Sequence, residues 1–176
     1  MIPVGVDTSS ISVNIYDFGS RYINYLLSTG DESMKYLCEL FKFDTIEYKH
    51  KGFVFDPGRL IDGKFKNYKV ANSSQLCDKY VSELFDIVLE RNNSYKTAIE
   101  KGKKPKKYDH LYVYINSLET LYSLINEDNK GKLSLILEKG SKNYNISILI
   151  ADKVSSLSSL SYEAWYKNNV SNNDAI

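Results

Sequence analysis

Residues 26–41 read LLSTGDESMKYLCELF. An apolar run leads into a turn that carries a glycine, and a lysine then opens an amphipathic segment. Met34, Leu37, Cys38 and Phe41 recur at three- and four-residue spacings, which predicts a helix with one buried face. The stretch before it, YINYLLS (22–28), has the composition of a strand. Strand, tight loop and helix together outline a phosphate-binding loop of the form G-x-x-x-x-G-K-[ST]. There, bare glycines let successive amides face phosphate oxygens, the lysine reaches the terminal phosphates and the hydroxyl binds magnesium. Aligned on Lys35, Thr29 stands for the first glycine and Met34 for the second, while Tyr36 takes the place of the magnesium-binding hydroxyl. Asp31 and Glu32 put negative charge where a polyphosphate must lie, and each such contact is repulsive by about 1–4 kcal/mol. Gly30, Ser33 and Lys35 are what remains of a cofactor-binding loop. Asp31 and Ser33 also read as caps for the helix.

The rest of the chain alternates in the same way. SVNIYDF (12–18) reads as a strand, and KGFVFDPG (51–58) as a short apolar strand closed by an Asp-Pro-Gly turn. Asn72, Ser73 and Ser74 offer a cap for a long helix, which runs on through SYKTAIEKG. Its expected stripe is Leu76, Tyr80, Leu84, Ile87, Val88 and Arg91. HLYVYIN (110–116) and NISILIAD (145–152) are unbroken apolar strands, as expected where both faces of a sheet are covered. SLETLYSLI and KLSLILEKG are helical, and LSSLSYEAWYK is softer. This order predicts an α/β three-layer sandwich with a mainly parallel sheet, in one domain spanning residues 1–176. Ligands of such sheets sit at the carboxyl ends of strands, here 28–35, 56–59, 116–119 and 151–155.

At the second of the nucleotide motifs, LYVYINS ends in Asn116 and Ser117, where a hydrolytic site needs an aspartate and often a glutamate for magnesium and the attacking water. Asn116 is the candidate remnant of that acid. Glu119 reads as a first-turn charge favoured by the helix dipole. Asp56 and Asp152 end strands and read as turn-forming residues before catalytic ones. His50 and His110 lack metal-ligand spacing, and no nucleophile elbow is present. No catalytic residue and no metal ligand is expected.

Composition excludes several classes. Twenty-three basic residues balance 22 acidic ones, so no global field steers nucleic acid or an anionic membrane. KGKKPKK (101–107) is a helix-breaking, solvated connector in this reading; a nucleic-acid patch is its alternative. No apolar run approaches the roughly 20 residues of a membrane span, and MIPVGVDTSS lacks the features of a signal peptide. Cys38 and Cys77 fall in helical patterns and read as reduced, buried residues. The 15 tyrosines are scattered rather than interleaved with basic residues, so they do not form a stacking platform for bases.

The order of these pieces resembles the FtsK/SpoIIIE-type ATPase domains. IPVGVDTSSISVNIYDF resembles their lead-in and first strand, and YLLSTGDESMKYLCELF stands at their Walker A position. FVFDPGRL resembles their second-strand segment. YVSELFDIVLERNNSYKTA resembles the following helix, which often carries an arginine such as Arg91. HLYVYINSLETL sits in the Walker B place, and ISILIADKVSSLSSL resembles the strand that carries a sensor in active members. The departures at Thr29, Met34, Tyr36, Asn116 and Ser117 are typical of the last, degenerate domain of EssC-type coupling proteins of type VIIb secretion.

That resemblance implies a P-loop NTPase (RecA/FtsK-like) fold with a degenerate nucleotide site and no resident cofactor; ATP and magnesium are expected only if the site still binds. It implies a piece of a longer membrane-anchored protein on the cytoplasmic side of the cell membrane. The partners implied are secreted protein substrates, the preceding ATPase domains of the same protein and a homo-hexamer, without nucleic acid or direct membrane contact. A WIGxG-type closing segment is implied beyond NNDAI, and without it a sheet edge is open. Tyr162, Trp165 and Tyr166 are candidate contact residues for partners; packing of a terminal segment is their other reading. The alternatives are a motor domain that still binds and hydrolyses ATP and a nucleic-acid module.

Overall fold

The computed structural model describes residues 2–7, 9–10, 12–47, 50–61 and 65–169. A hairpin comes first: β1 (Ile2–Asp7) pairs antiparallel with β2 (Ser12–Tyr16) in a sheet of its own. The main sheet follows from β3 (Ile23–Ser28), β4 (Gly52–Phe55), β5 (Tyr68–Ala71), β6 (Leu111–Asn116) and β7 (Ile146–Lys153), ordered β3-β7-β6-β4-β5. Every pairing in it is parallel. The helices are α1 (Glu32–Glu47), α2 (Ser74–Glu100), α3 (Leu118–Leu124), α4 (Glu127–Lys139), α5 (Val154–Ser158) and α6 (Ala164–Asn169).

The period of two in the strands divides the core into two faces. Phe53 and Phe55, Val113 and Ile115, and Ile146, Ile148 and Ile150 face one way, into the cluster shared with α2, α3 and α4. Val54, Tyr114, Leu149 and Ala151 face the other way, onto Leu37, Cys38 and Phe41 of α1. The predicted three layers are therefore present, with the apolar β4, β6 and β7 buried in the middle. The tyrosines serve here as edge-on core aromatics: Tyr68 and Tyr114 stand at 4.9 and 5.3 Å from Phe41.

Several expectations need adjustment, and β1 was not among the strands expected. β5 was not anticipated; it is a four-residue edge strand with Lys69 exposed, too short and too polar to show a period. The α2 stripe is centred one residue along, on Cys77, Val81, Leu84 and Val88, with Leu76, Tyr80 and Ile87 on its flanks. Trp165 is not a surface contact: it is 1% exposed and belongs to the core, with Tyr166 against it, whereas Tyr162 is 67% exposed. The side chains read as caps of α1 are engaged elsewhere, Asp31 with Lys153 and Ser33 with the Asp152 carbonyl. Ser73 caps α2 by accepting from the Leu76 amide, Gly102 takes a φ of 61° just past its end, and both cysteines are buried and free. The closing NNDAI (172–176) lies outside the described residues; among those described, β3 is an edge strand.

Arg91 anchors the amino edge of the sheet. Its Nη1 donates to the carbonyls of Tyr144 and Asn145 at 2.7 and 2.9 Å, and the guanidinium lies over the Tyr108 ring. That edge is opposite the strand ends where a ligand of a parallel sheet sits, so Arg91 is a structural clamp. His110 stands on the same edge, 2.9 Å from the Ser147 hydroxyl and beside Tyr112, whose ring also stacks with His50. Burial holds the His110 pKa below 6.5; His50 and Arg91 add repulsion and Asp17 opposes it. The native state thus favours the neutral ring. Its contribution is complete above pH 6.5 and is lost as pH falls through the depressed folded value. Urea midpoints should therefore drop between about pH 7.5 and about pH 5, and His110→Gln should flatten that slope.

Candidate functional site

Because the main sheet is all parallel, Ser28, Asp56, Asn116 and Asp152 arrive at one edge of it. They do so on separate strands, with Asn116 on β6 between β7 and β4, so Asp56 and Asp152 do not neighbour each other in the sheet.

The turn between β3 and α1 is only Thr29, Gly30 and Asp31, and hydroxyls close it. Ser28 Oγ donates to the Gly30 carbonyl at 2.7 Å and accepts from the Ser33 amide at 3.2 Å, with the Ser33 hydroxyl 3.0 Å away. Ser33 in turn donates to the Asp152 carbonyl at 2.9 Å, which ties the turn to β7. Ser33 is buried inside the first turn of α1; it supports the loop rather than facing the opening. Glu32 bends back over the turn: a Cβ added at Gly30 would lie 2.6 Å from its carboxylate. Asp31 pairs with Lys153 at 2.8 Å, and that hydrogen bond lowers the Asp31 pKa. Both partners are largely exposed, so the pair adds little stability. Thr29 is exposed, and Tyr36 packs against the core on the α1 face of the sheet.

Just past the end of β4, Asp56 is fully buried and acts as a turn former. Its carboxylate accepts from the amides of Leu60 (3.1 Å) and Ile61 (2.8 Å), while its carbonyl accepts from the Arg59 amide at 3.0 Å. The remaining bond comes from β6: Asn116 Nδ2 donates to Asp56 Oδ1 at 2.9 Å. Asn116 Oδ1 is buried and has no hydrogen-bond partner among the described residues. Ser117 follows with φ at 68°, a strained conformation for serine, and its hydroxyl caps α3 at the Thr120 amide.

The strain at Ser117 is held by Asp152, which is 1% exposed. Its Oδ2 accepts from the Glu119 amide (3.2 Å); Oδ1 accepts from the Lys153 amide (2.9 Å) and the Ser117 hydroxyl (3.4 Å). Burial raises the Asp152 pKa against these donors. Asp152 and Ser117 thus form a cross-strand cap. The sequence pointed to both as strand ends, but no local signal paired them.

Between these elements lies an open cavity of about 380 Å³, lined by Met34, Lys35, Asn116, Glu119, Asp152 and Lys153, among others. Of the four predicted residues, Lys35 and Asn116 reach it, while Gly30 and Ser33 belong to the closed turn beside it. Three carboxylates (Asp31, Glu119, Asp152) and two amines (Lys35, Lys153) share its wall. No group of acids, histidines or cysteines among the described residues could hold a metal ion.

No family model matches the sequence, and no curated protein does so. Solved structures do. The cytoplasmic domain of EssC superposes with a TM-score of 0.72 at 11% identity, over 90% of this chain and 32% of that one. EccC of Thermomonospora curvata, comprising ATPases 2 and 3 in complex with a signal sequence peptide, gives 0.69 at 15% identity, over 95% and 32%. The fold is that of the EssC and EccC ATPase domains. A monomer form of the pCW3 conjugation coupling protein TcpA with ATPγS is also similar, at 0.58 and 16% identity, over 90% of this chain and 49% of that one. The chain thus spans about a third of the EssC and EccC structures, and the EssC-like fold confirms the architecture that the segment order implied. No helix among the described residues of this EssC-like domain is long and apolar enough to cross a membrane.

Proposed function

We propose that this chain is an ATPase-like domain of a type VII secretion coupling protein that recognises secreted proteins by direct interaction and does not turn over ATP. The carrying observation is the β3–α1 turn, which is closed by Ser28 and Ser33 and edged by the carboxylates of Asp31 and Glu32. A triphosphate needs curled, unengaged amides there and an acid at the end of β6 to hold magnesium. Here Ser28 takes the Ser33 amide, and Asn116 is tied to Asp56. The peptide bound in the similar EccC structure supports protein recognition as the retained task.

In this reading the domain lies on the cytoplasmic side of the cell membrane and works beside the preceding ATPase domains of a longer, hexameric protein. It touches neither membrane nor nucleic acid. The lysines of 101–107 form an exposed connector, with Lys106 over the Tyr108 ring. A filter-binding curve with DNA should be flat at every salt concentration. The second reading, a domain that still binds nucleotide, is favoured by the position of Lys35 on the cavity wall and by the ATPγS in the similar TcpA structure.

Two measurements separate these readings. Isothermal titration with Mg-ATP should give no heat beyond dilution, and secreted substrates should be retained by the immobilised domain. Micromolar nucleotide binding that Lys35→Ala abolishes would overturn the first reading.

A further inference from the structure

Positive charge is concentrated at the far end of α2. Residues 96–107, KTAIEKGKKPKK, hold six lysines and one glutamate, although the net charge of the whole chain is only +1. All six lysines are exposed, and Lys101, Lys103, Lys104 and Lys107 have no acidic partner among the described residues. Asp109, the next acid along the chain, is held by Lys51 at 2.6 Å. Like charges this close repel one another, and an anion relieves them. Capping does not account for the cluster. A helix end attracts cations to its last carbonyls, but here the backbone answers those carbonyls. The amides of Lys101, Gly102 and Lys103 donate to the carbonyls of Thr97, Ile99 and Ala98 at 3.2, 2.9 and 2.8 Å.

The same turn gives the lysines a shape. With Gly102 at a φ of 61° the chain reverses and returns beside α2, from Lys103 at Ala98 to Tyr108 under the Arg91 guanidinium. The return leaves a shallow groove of about 490 Å³. Lys101, Lys103, Lys104 and Lys106 share it with Asn93 and Thr97 of α2, among others, and no carboxylate lines it. The lining also distinguishes among anions. Asn93 and Thr97 carry donors and acceptors, which match the amides of a peptide, whereas a phosphate only accepts. Single-stranded nucleic acid needs aromatic rings presented to its bases. The Tyr108 ring that follows the lysines is already engaged, with the Arg91 guanidinium at 4.8 Å and the Lys106 ammonium at 4.6 Å. A bilayer is wider than the groove and meets it only at the rim.

We infer that this groove docks an extended, acidic segment of a protein partner, its carboxylates on Lys101, Lys103, Lys104 and Lys106 and its backbone on Asn93 and Thr97. The inference rests on the protein-interaction reading above and places that interaction at the amino edge of the sheet, away from the former nucleotide position. Alternate side chains of an extended segment stand about 7 Å apart on one face, so acids at every second position reach successive lysines.

The test is a titration of the ¹⁵N-labelled domain with Ac-Glu-Gly-Glu-Gly-Glu-NH2 at about 0.15 M salt, followed by nuclear magnetic resonance, against the same peptide with glutamine for glutamate. The glutamate peptide should shift the Asn93 side-chain amide and the backbone amides of Gly102, Lys103 and Lys104, and the glutamine peptide should leave them unmoved. A mixed-sequence oligonucleotide, and vesicles of phosphatidylcholine and phosphatidylserine in equal parts, should move them less at the same concentration of charge. The double variant Lys103→Gln, Lys104→Gln changes two exposed side chains, so its melting temperature should be unaltered; it should weaken peptide binding about fivefold, the size of two surface charge pairs. No shift from the glutamate peptide at millimolar concentration, equal shifts from the glutamine peptide, or larger shifts from the oligonucleotide or the vesicles would overturn the inference. If secreted substrates are retained equally by the wild type and the double variant, the groove is not their site and the protein-interaction reading stands without it. If the wild type retains none, that reading falls, and the peptide shifts still decide the groove.

Discussion

Gly52→Ala is expected to cost about 4 kcal/mol and to lower the melting temperature by roughly 8–16 °C for a domain of this size. Gly52 opens β4, which lies between β5 and β6. A Cβ added there would stand 1.7 Å from the Tyr112 carbonyl oxygen and 2.7 Å from its carbonyl carbon. Both atoms are backbone in a central strand, so no rotamer change relieves the contact. The neighbouring bonds leave little slack: the Tyr112 amide donates to the Lys51 carbonyl at 3.1 Å, and the Gly52 amide donates to the Asn67 carbonyl at 3.2 Å. To admit the methyl group, β4 must part from β6 and lose ladder bonds. Urea unfolding followed by circular dichroism measures the effect. A loss below about 1 kcal/mol would show that the two strands separate freely there, contrary to the register of β4 on β6.

Trp165→Ala is the second large effect, at about 3–5 kcal/mol. The six residues of α6 are too few to be helical on propensity alone, so packing holds them. Trp165 provides that packing, buried beside α4 residues of the main cluster and 6.1 Å from the Tyr166 ring. Its indole Nε1 is buried without a hydrogen-bond partner among the described residues, which separates shape from polarity. Trp165→Phe keeps an aromatic ring and removes the unanswered donor, so it should cost only about 1–2 kcal/mol. Trp165 is the one tryptophan of the chain, so its emission should move to longer wavelength in step with unfolding of the wild type. Equal losses for the alanine and phenylalanine variants would mean that the indole nitrogen has a role that the packing does not reveal.

Both substitutions fall outside the cavity. The alternation of strands and helices, the fully buried central strands and the caps at Ser73 and Gly102 were legible because each is written in consecutive residues. The candidate site was legible only in part. Lys35 and Asn116 were located because each stands at a fixed offset from a strand end, but the residues that complete the cavity were not. Ser33 bonds to Asp152 across 119 residues, and Asn116 bonds to Asp56 across 60. No local pattern pairs such residues.

Periodicity and turn chemistry alone determined that this chain is a layered α/β domain. They also raise the expectation that its phosphate-loop position does not suit a triphosphate, since side-chain spacing and charge are properties of neighbours along the chain. Only the tertiary structure decided that the turn closes on Ser28, that Asp152 holds Ser117 in its strained conformation, that Asn116 is tied to Asp56 and that Trp165 lies inside. Those facts depend on the order of strands in the sheet. That order brings distant residues to one edge through long-range packing, for which a linear sequence has no local signal.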